Sequence, residues 1–236
     1  MRIHYREMGT RAPKRAAPER RRLILEGAHT VFAASSYTSA NTTKVARAAG
    51  VSAPALYRYF PSKKDLYLST LKDAGPRLLG IWKRIAEKAE NPLDAVWTLG
   101  LAYYDHVLNR SPVMRLWFQA LGEAGDRRVR KALGDNFTAA VDLLAENLDA
   151  GKARGLVRRD VDSRVAAWHF MAIGLTFDLI HLLGRDHELD RRKVEDWGRI
   201  YLDSIKEASA GAAKGRATKG RRRAVPEAHR RHRKKG

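Results

Sequence analysis

Residues Thr42–Tyr59 read TTKVARAAGVSAPALYRY, and their punctuation decides the fold. Asn41 precedes two threonines and is suited to cap a short helix over Thr42–Ala48, because its side-chain oxygen accepts a first-turn N–H. Gly50 then supplies a residue that tolerates positive φ where that helix ends. Ser52 is the next cap, and Pro54 falls in a first turn, where its missing N–H does little harm. The following helix covers about Ala53–Tyr59 before Phe60-Pro61 breaks it. Ala46, Gly50, Val51 and Leu56 are the small and apolar residues that let two short helices meet across so tight a turn. This is the spacing of a helix-turn-helix unit, whose second helix enters the major groove of DNA. Any pair of helices joined by a tight turn shares part of the pattern, so the flanks matter.

Upstream, Leu23, Ile24, Ala28, Val31 and Phe32 follow helical spacing from Glu19 to about Ala34, where the polar run Ser35–Ser39 begins. Downstream, Ser62 with Asp65 three residues on is the capping-box pattern of a fourth helix. Long helices are expected at about 63–88 with a kink at Pro76, then 92–109, 112–122, 126–153, 162–184 and 190–208. The expected class is all-α. A three-helix helix-turn-helix DNA-binding domain (19–70) precedes a helical ligand-binding and dimerisation domain (71–208), about nine helices in all. Residues 1–18 read as a flexible basic arm, and 209–236 as a disordered basic tail without a hydrophobic face.

Composition narrows the function. The 236 residues are 44% apolar, enough for a substantial core. Cysteine is absent, which excludes disulfides, thiolate metal sites and thiol chemistry. The chain starts without an apolar signal segment and no stretch approaches 18 uncharged apolar residues, so a cytoplasmic protein with no membrane partner is expected. The net charge of +20 is concentrated at the ends, with +6 in residues 1–22 and +10 in residues 209–236. Such tails suit a polyanion, most simply nucleic acid, although basic tails also aid solubility.

With the flanks included, residues 22–68 resemble the N-terminal domain of the TetR family of bacterial regulators. The likeness is carried by Ile24-Leu25, Ala28, Phe32, Tyr37, Val45-Ala46 and the run AAGVSAPALYRYFPSKKDL from Ala48 to Leu66. Ser36, Ala40, Asn41 and Lys64 depart from the residues most common there. The resemblance implies a transcriptional regulator, with a repressor expected, that binds a palindromic operator on double-stranded DNA as a homodimer. It implies that Tyr57 and Lys63 contact phosphates, and that Asn41 and Thr43 reach phosphates or base edges. Ser52, Ala53, Pro54 and Ala55 would open the recognition helix against bases or thymine methyls, with Arg58 and Tyr59 the longest outward side chains. A recognition helix so poor in hydrogen-bond donors points to readout of DNA shape alongside Arg58 and Thr43. Tyr57 and Phe60 have a plain alternative as core aromatics.

The segment 162–184 is apolar nearly all round and must be covered on both sides. Its Leu175, Leu179 and Leu182, with the stripe Val194, Trp197 and Tyr201 of the last helix, are expected to form the dimer interface, and Gly198 to permit close approach. Both helices packing only inside one protomer is the other reading. Trp82, Tyr103, His106, Trp117, Phe137, His169, Phe177 and His181 are candidates for a largely apolar pocket that takes an apolar or aromatic effector. Asp178, His181 and His169 cannot converge on one ion from a straight helix, so no metal site is expected, and nothing points to a cofactor. No phosphate-cradling glycine loop, HExxH or GxSxG appears, which argues against an enzyme. A largely sequence-independent DNA-binding protein driven by its tails stands as the alternative.

Overall fold

The computed structural model of the chain describes residues 16–108 and 112–207. Among them run nine α-helices: α1 (Ala17–Ala34), α2 (Thr42–Ala48), α3 (Ala53–Tyr59), α4 (Lys63–Lys88), α5 (Pro92–Leu108), α6 (Pro112–Gly122), α7 (Arg127–Ala153), α8 (Ser163–Leu182) and α9 (Arg191–Ile205). A single bridge between Val157 and Lys206 is the only extended pairing among the described residues. It ties the end of α9 to the loop after α7, with the Arg158 N–H donating to the Ile205 carbonyl at 2.9 Å. The chain is all-α. The basic tail and most of the basic arm lie outside the described residues.

Local chemistry explains the boundaries. α1 starts at Ala17, two residues before Glu19, because Pro18 is tolerated in a first turn and Glu19 favours the positive end of the helix dipole. Asn41 accepts from the Thr43 N–H at 2.8 Å and Ser52 from the Ala55 N–H at 3.3 Å. Ser62 accepts from the Asp65 N–H at 3.0 Å. Its hydroxyl also donates to the Asp65 carboxylate at 2.7 Å, in place of the carboxylate reaching back to the Ser62 N–H. That bond, with Arg128 beside it, holds the Asp65 carboxyl below its usual range. α8 ends at Leu182 and not near 184, followed by Gly184 at φ +65°, and α9 ends at Ile205 and not near 208.

Pro76 lies inside α4, which nevertheless runs from Lys63 to Lys88. A mid-helix proline removes one backbone bond. Asn136 of α7, buried beside it, donates its side-chain amide to the Leu71 carbonyl at 2.8 Å and braces this stretch.

One continuous core joins the first helices to the rest. Ile24, Phe32 and Leu56 share it with Leu66 and Leu71 of α4 and with Leu116 and Leu144 further on. Each buried side chain of this kind stabilises by about 1.5–3 kcal/mol. α4 crosses residues 70 and 71 as unbroken helix, so the same rigid element touches both ends of the molecule.

Candidate DNA-reading head and ligand cavity

α2 and α3 meet at a turn whose Gly50 has φ +64°. The Val51 N–H closes onto the Ala46 carbonyl at 2.9 Å and the Gly50 N–H onto Arg47 at 3.1 Å, satisfying the end of α2. Leu56 is fully buried and anchors α3, which leaves Pro54, Tyr57 and Arg58 exposed and Ala53 and Ala55 half-buried. At the start of α2, Asn41 and Thr43 are exposed too. The structure thus brings the expected DNA-facing residues onto one end of the molecule, with one correction. Tyr59 is half-buried and packs on the core, because it lies three residues after Leu56 on the same helix face. Phe60 is, as the sequence allowed, a core aromatic, lying under the Arg21 guanidinium.

The two expected phosphate contacts are held in place beforehand. The Tyr57 hydroxyl lies 3.0 Å from Thr42 Oγ1. Lys63 Nζ donates to the Thr38 carbonyl at 2.9 Å and sits 5.1 Å from the centre of the Tyr37 ring. An ammonium carries three donors, so Lys63 keeps further donors for an anion. Two cations that the sequence reading missed, Lys44 and Arg47, stand exposed on α2 without an acidic partner among the described residues. Their signal was the i, i+3 spacing outside the buried pair Val45-Ala46.

Between α1 and α4, buried His29 contacts Asp73 at 3.1 Å, and Asp73 pairs with Arg77 at 2.6 Å. Burial pushes the His29 pKa below its ordinary value, against the opposing pull of the Asp73 hydrogen bond.

Further along α4 lies a cavity of about 50 Å³. Trp82, Tyr103, Trp117, Phe137 and Phe177 line it as expected, and Trp97 and Phe170 join them. The walls are almost wholly apolar. The polar exceptions are few. Tyr103 donates its hydroxyl to Asp178, which burial pushes up to about 6 against that bond's opposing effect. Burial foremost, and then Asp178, raises the Tyr103 phenol well above its ordinary value. Trp117 is buried and its indole N–H has no acceptor among the described residues.

Neither described histidine of the expected pocket set lines this cavity. His169 packs edge-on against the Tyr201 ring, with centroids 5.4 Å apart. His181 lies at the end of α8, one turn past the cavity wall at Phe177, and bonds Asp186 at 2.7 Å. The His106 side chain lies outside the described ones.

The expected dimer set divides as well. Val194 and Tyr201 are buried within the protomer, and Trp197 stacks on Phe177 at 5.3 Å with its ring nearly parallel. Tyr201 donates to the Ala166 carbonyl at 3.0 Å. Gly198 does permit close approach, but to Trp97: a Cβ there would stand 2.8 Å from that ring. The α9 stripe is therefore covered by α5 and α8 of its own chain, and Leu175 lines the cavity. The apolar surface left outside on these two helices includes Val165, Trp168, Leu179, Leu182 and Leu183 around α8, with Ile200 of α9, which is 66% exposed. α8 is long and apolar enough to cross a membrane by composition alone, and its two apolar faces have these two destinations.

A helix-turn-helix head rigidly joined to a hollow helical body defines a DNA-binding transcriptional regulator. Residues 24–70 match the family described as bacterial regulatory proteins, tetR family. The HTH-type transcriptional activator FasR of Mycolicibacterium smegmatis is 30% identical over 164 residues, which span 66% of this chain and 74% of FasR. The chain belongs to the TetR family of transcriptional regulators. Solved structures agree in fold. The fatty acid degradation regulator FadR of Bacillus halodurans superposes with a TM-score of 0.66 at 20% identity, over 80% of this chain and 97% of its own. FadR of Bacillus subtilis, solved with stearoyl-CoA, gives 0.63 at 16% identity over 77% and 95%.

Proposed function

We propose that this regulator acts in the cytoplasm as a two-fold homodimer and answers to an apolar effector held in the cavity. Each protomer lays α3 in the major groove of one half of a palindromic operator. Tyr57 and Lys63 fix the register on phosphates, assisted by Lys44 and Arg47, while Thr43, Pro54 and Arg58 face the bases. Ser52, Ala53 and Ala55 complete the leading edge of that helix. Residues 19–70 form the reading domain and 71–208 the sensing and dimerising one. Val165, Leu179, Leu182, Leu183 and Ile200 supply the dimer face, because so much exposed apolar surface on two adjacent helices calls for cover.

The observation that carries this reading is α4 itself. Lys63 at its start belongs to the DNA end, and Trp82, 19 residues on, is a cavity wall. At 1.5 Å per residue those positions lie roughly 28 Å apart on one helix. A ligand that displaces Trp82 or Leu78 tilts the helix and changes the spacing of two heads that must match one operator. Repression is the expected outcome at an operator overlapping a promoter. The name of the M. smegmatis relative shows that activation also occurs on this plan.

The stearoyl chain in the B. subtilis FadR complex supports a long apolar effector here. In vitro selection of random duplexes with the purified protein, followed by footprinting, tests the DNA half. One palindromic site should emerge, and it should survive deletion of residues 209–236. Enrichment of no palindrome, with affinity lost on that deletion, would favour a tail-driven nonspecific binder instead.

A further inference from the structure

The cavity does not end at Phe137. An apolar groove of about 560 Å³, formed by α6, α7 and α8 and open to the surface, also has Phe137 and Leu175 in its wall. These two side chains are the partition between the inner cavity and the outer groove. Both are half-buried. Gly134, one turn before Phe137 on α7, is also in the groove wall, and nothing lies within 4 Å of the position of a Cβ there.

Two polar features flank the partition. The Trp117 ring lies 5.4 Å from that of Phe137, and its indole N–H has no acceptor among the described residues. A buried donor left unpaired is unfavourable, and a ligand oxygen would relieve it. On the outer side Arg130 belongs to the groove wall, exposed and without an acidic partner among the described residues.

We propose that cavity and groove are two halves of one site for an anionic amphiphile. Its hydrocarbon chain fills the inner half, an acceptor oxygen meets Trp117 at the partition, and the anionic end pairs with Arg130 in the groove. Phe137 and Leu175 part to admit it and set how much chain the inner half accepts. Leu179 belongs both to the groove and to the proposed dimer face, so the outer half of the ligand lies beside the partner protomer. The proposal rests on the reading of the cavity as an effector site.

The test titrates the full-length protein with palmitate, with methyl palmitate and with shorter and longer homologues, following tryptophan fluorescence. Arg130→Gln should weaken palmitate about three- to fivefold, the scale of an exposed ion pair, and leave the methyl ester unchanged. Phe137→Ala should move the preferred chain length upward, and Phe137→Leu serves as the milder variant should the alanine form fail to fold. If wild-type protein binds these probes and Arg130→Gln does not distinguish acid from ester, or if chain-length preference ignores position 137, the two-part site is wrong while the effector cavity stands. Wild-type protein that binds none of the probes overturns both.

Discussion

Replacing Lys63 with methionine separates a phosphate contact from a packing contact. The Lys63 ammonium is held by the Thr38 carbonyl and the face of Tyr37 at the start of α4. Methionine keeps an unbranched stem against that ring and removes the charge. The protein itself should lose only about 0.5–1 kcal/mol, the scale of one exposed cation–π contact. On DNA the loss is larger, because the dimer gives up two charge-assisted bonds at about 1.5 kcal/mol or more each, on the order of a hundredfold at low salt. Its salt dependence is more diagnostic still. Each lost phosphate contact flattens the slope of log K against log salt by about 0.9, so the pair flattens it by about 1.8. The variant's disadvantage should therefore shrink roughly twelvefold when salt is raised fourfold. Fluorescence anisotropy on the operator and on an unrelated duplex of equal length, at several salt concentrations, reads both quantities. The loss should be alike on the two duplexes, since a phosphate contact carries no sequence information. A slope parallel to that of the wild type, or a loss confined to the operator, refutes the placement of Lys63 on a phosphate.

Three further outcomes are expected. Gly50→Val places a β-branched residue at φ +64° with nothing within 4 Å of its Cβ, so the effect is backbone strain alone, about 1–3 kcal/mol in the denaturation midpoint; Gly50→Asn should cost clearly less. Asp178→Asn removes a carboxyl raised from 3.8 to about 6, and because the folded state binds that proton more tightly, the wild type loses stability as pH rises from about 4 to about 6. Measured against the variant, this difference should reach about 3 kcal/mol above pH 6, from roughly 1.4 kcal/mol per unit. The His29 contribution runs the opposite way, its stability being present above 6.5 and lost as pH falls, and it cancels in the comparison; a pH-independent difference between the two proteins would remove the case for a buried Asp178. Leu183→Glu combined with Ile200→Glu should give helical monomers in sedimentation, whereas Trp197→Ala should lower stability by about 3 kcal/mol through the lost stack on Phe177 and leave the dimer standing.

The head was legible because its information is local. Asn41, Gly50, Ser52 and Ser62 each act on backbone within three or four residues, and the structure shows all four doing so. The helix ranges follow for the same reason, with misses of a residue or two where Pro18 extends α1 and Gly184 stops α8 early. The cations Lys44 and Arg47 escaped because an exposed charge on a short helix is unremarkable until neighbouring Tyr57 and Lys63 give that surface a purpose.

The body was legible only in part, because an apolar stripe states that it will be buried and not against what. Val194, Trp197 and Tyr201 repeat at helical spacing, and a partner protomer or the same chain would satisfy that pattern equally well. The contacts that decide it are 20 to 100 residues away in sequence: Phe177 under Trp197, the Ala166 carbonyl on Tyr201, and Trp97 against Gly198. Once those inward contacts are made, the remaining apolar side chains of α8 and α9 lie on the opposite face. The proposed dimer face therefore falls on Val165, Leu179, Leu182, Leu183 and Ile200, a set whose spacing across two helices no single-helix periodicity displays. The cavity follows the same logic. Its aromatic walls could be named from hydrophobicity, but the roles of Phe137 and Leu175 as a shared wall exist only where α7 and α8 cross.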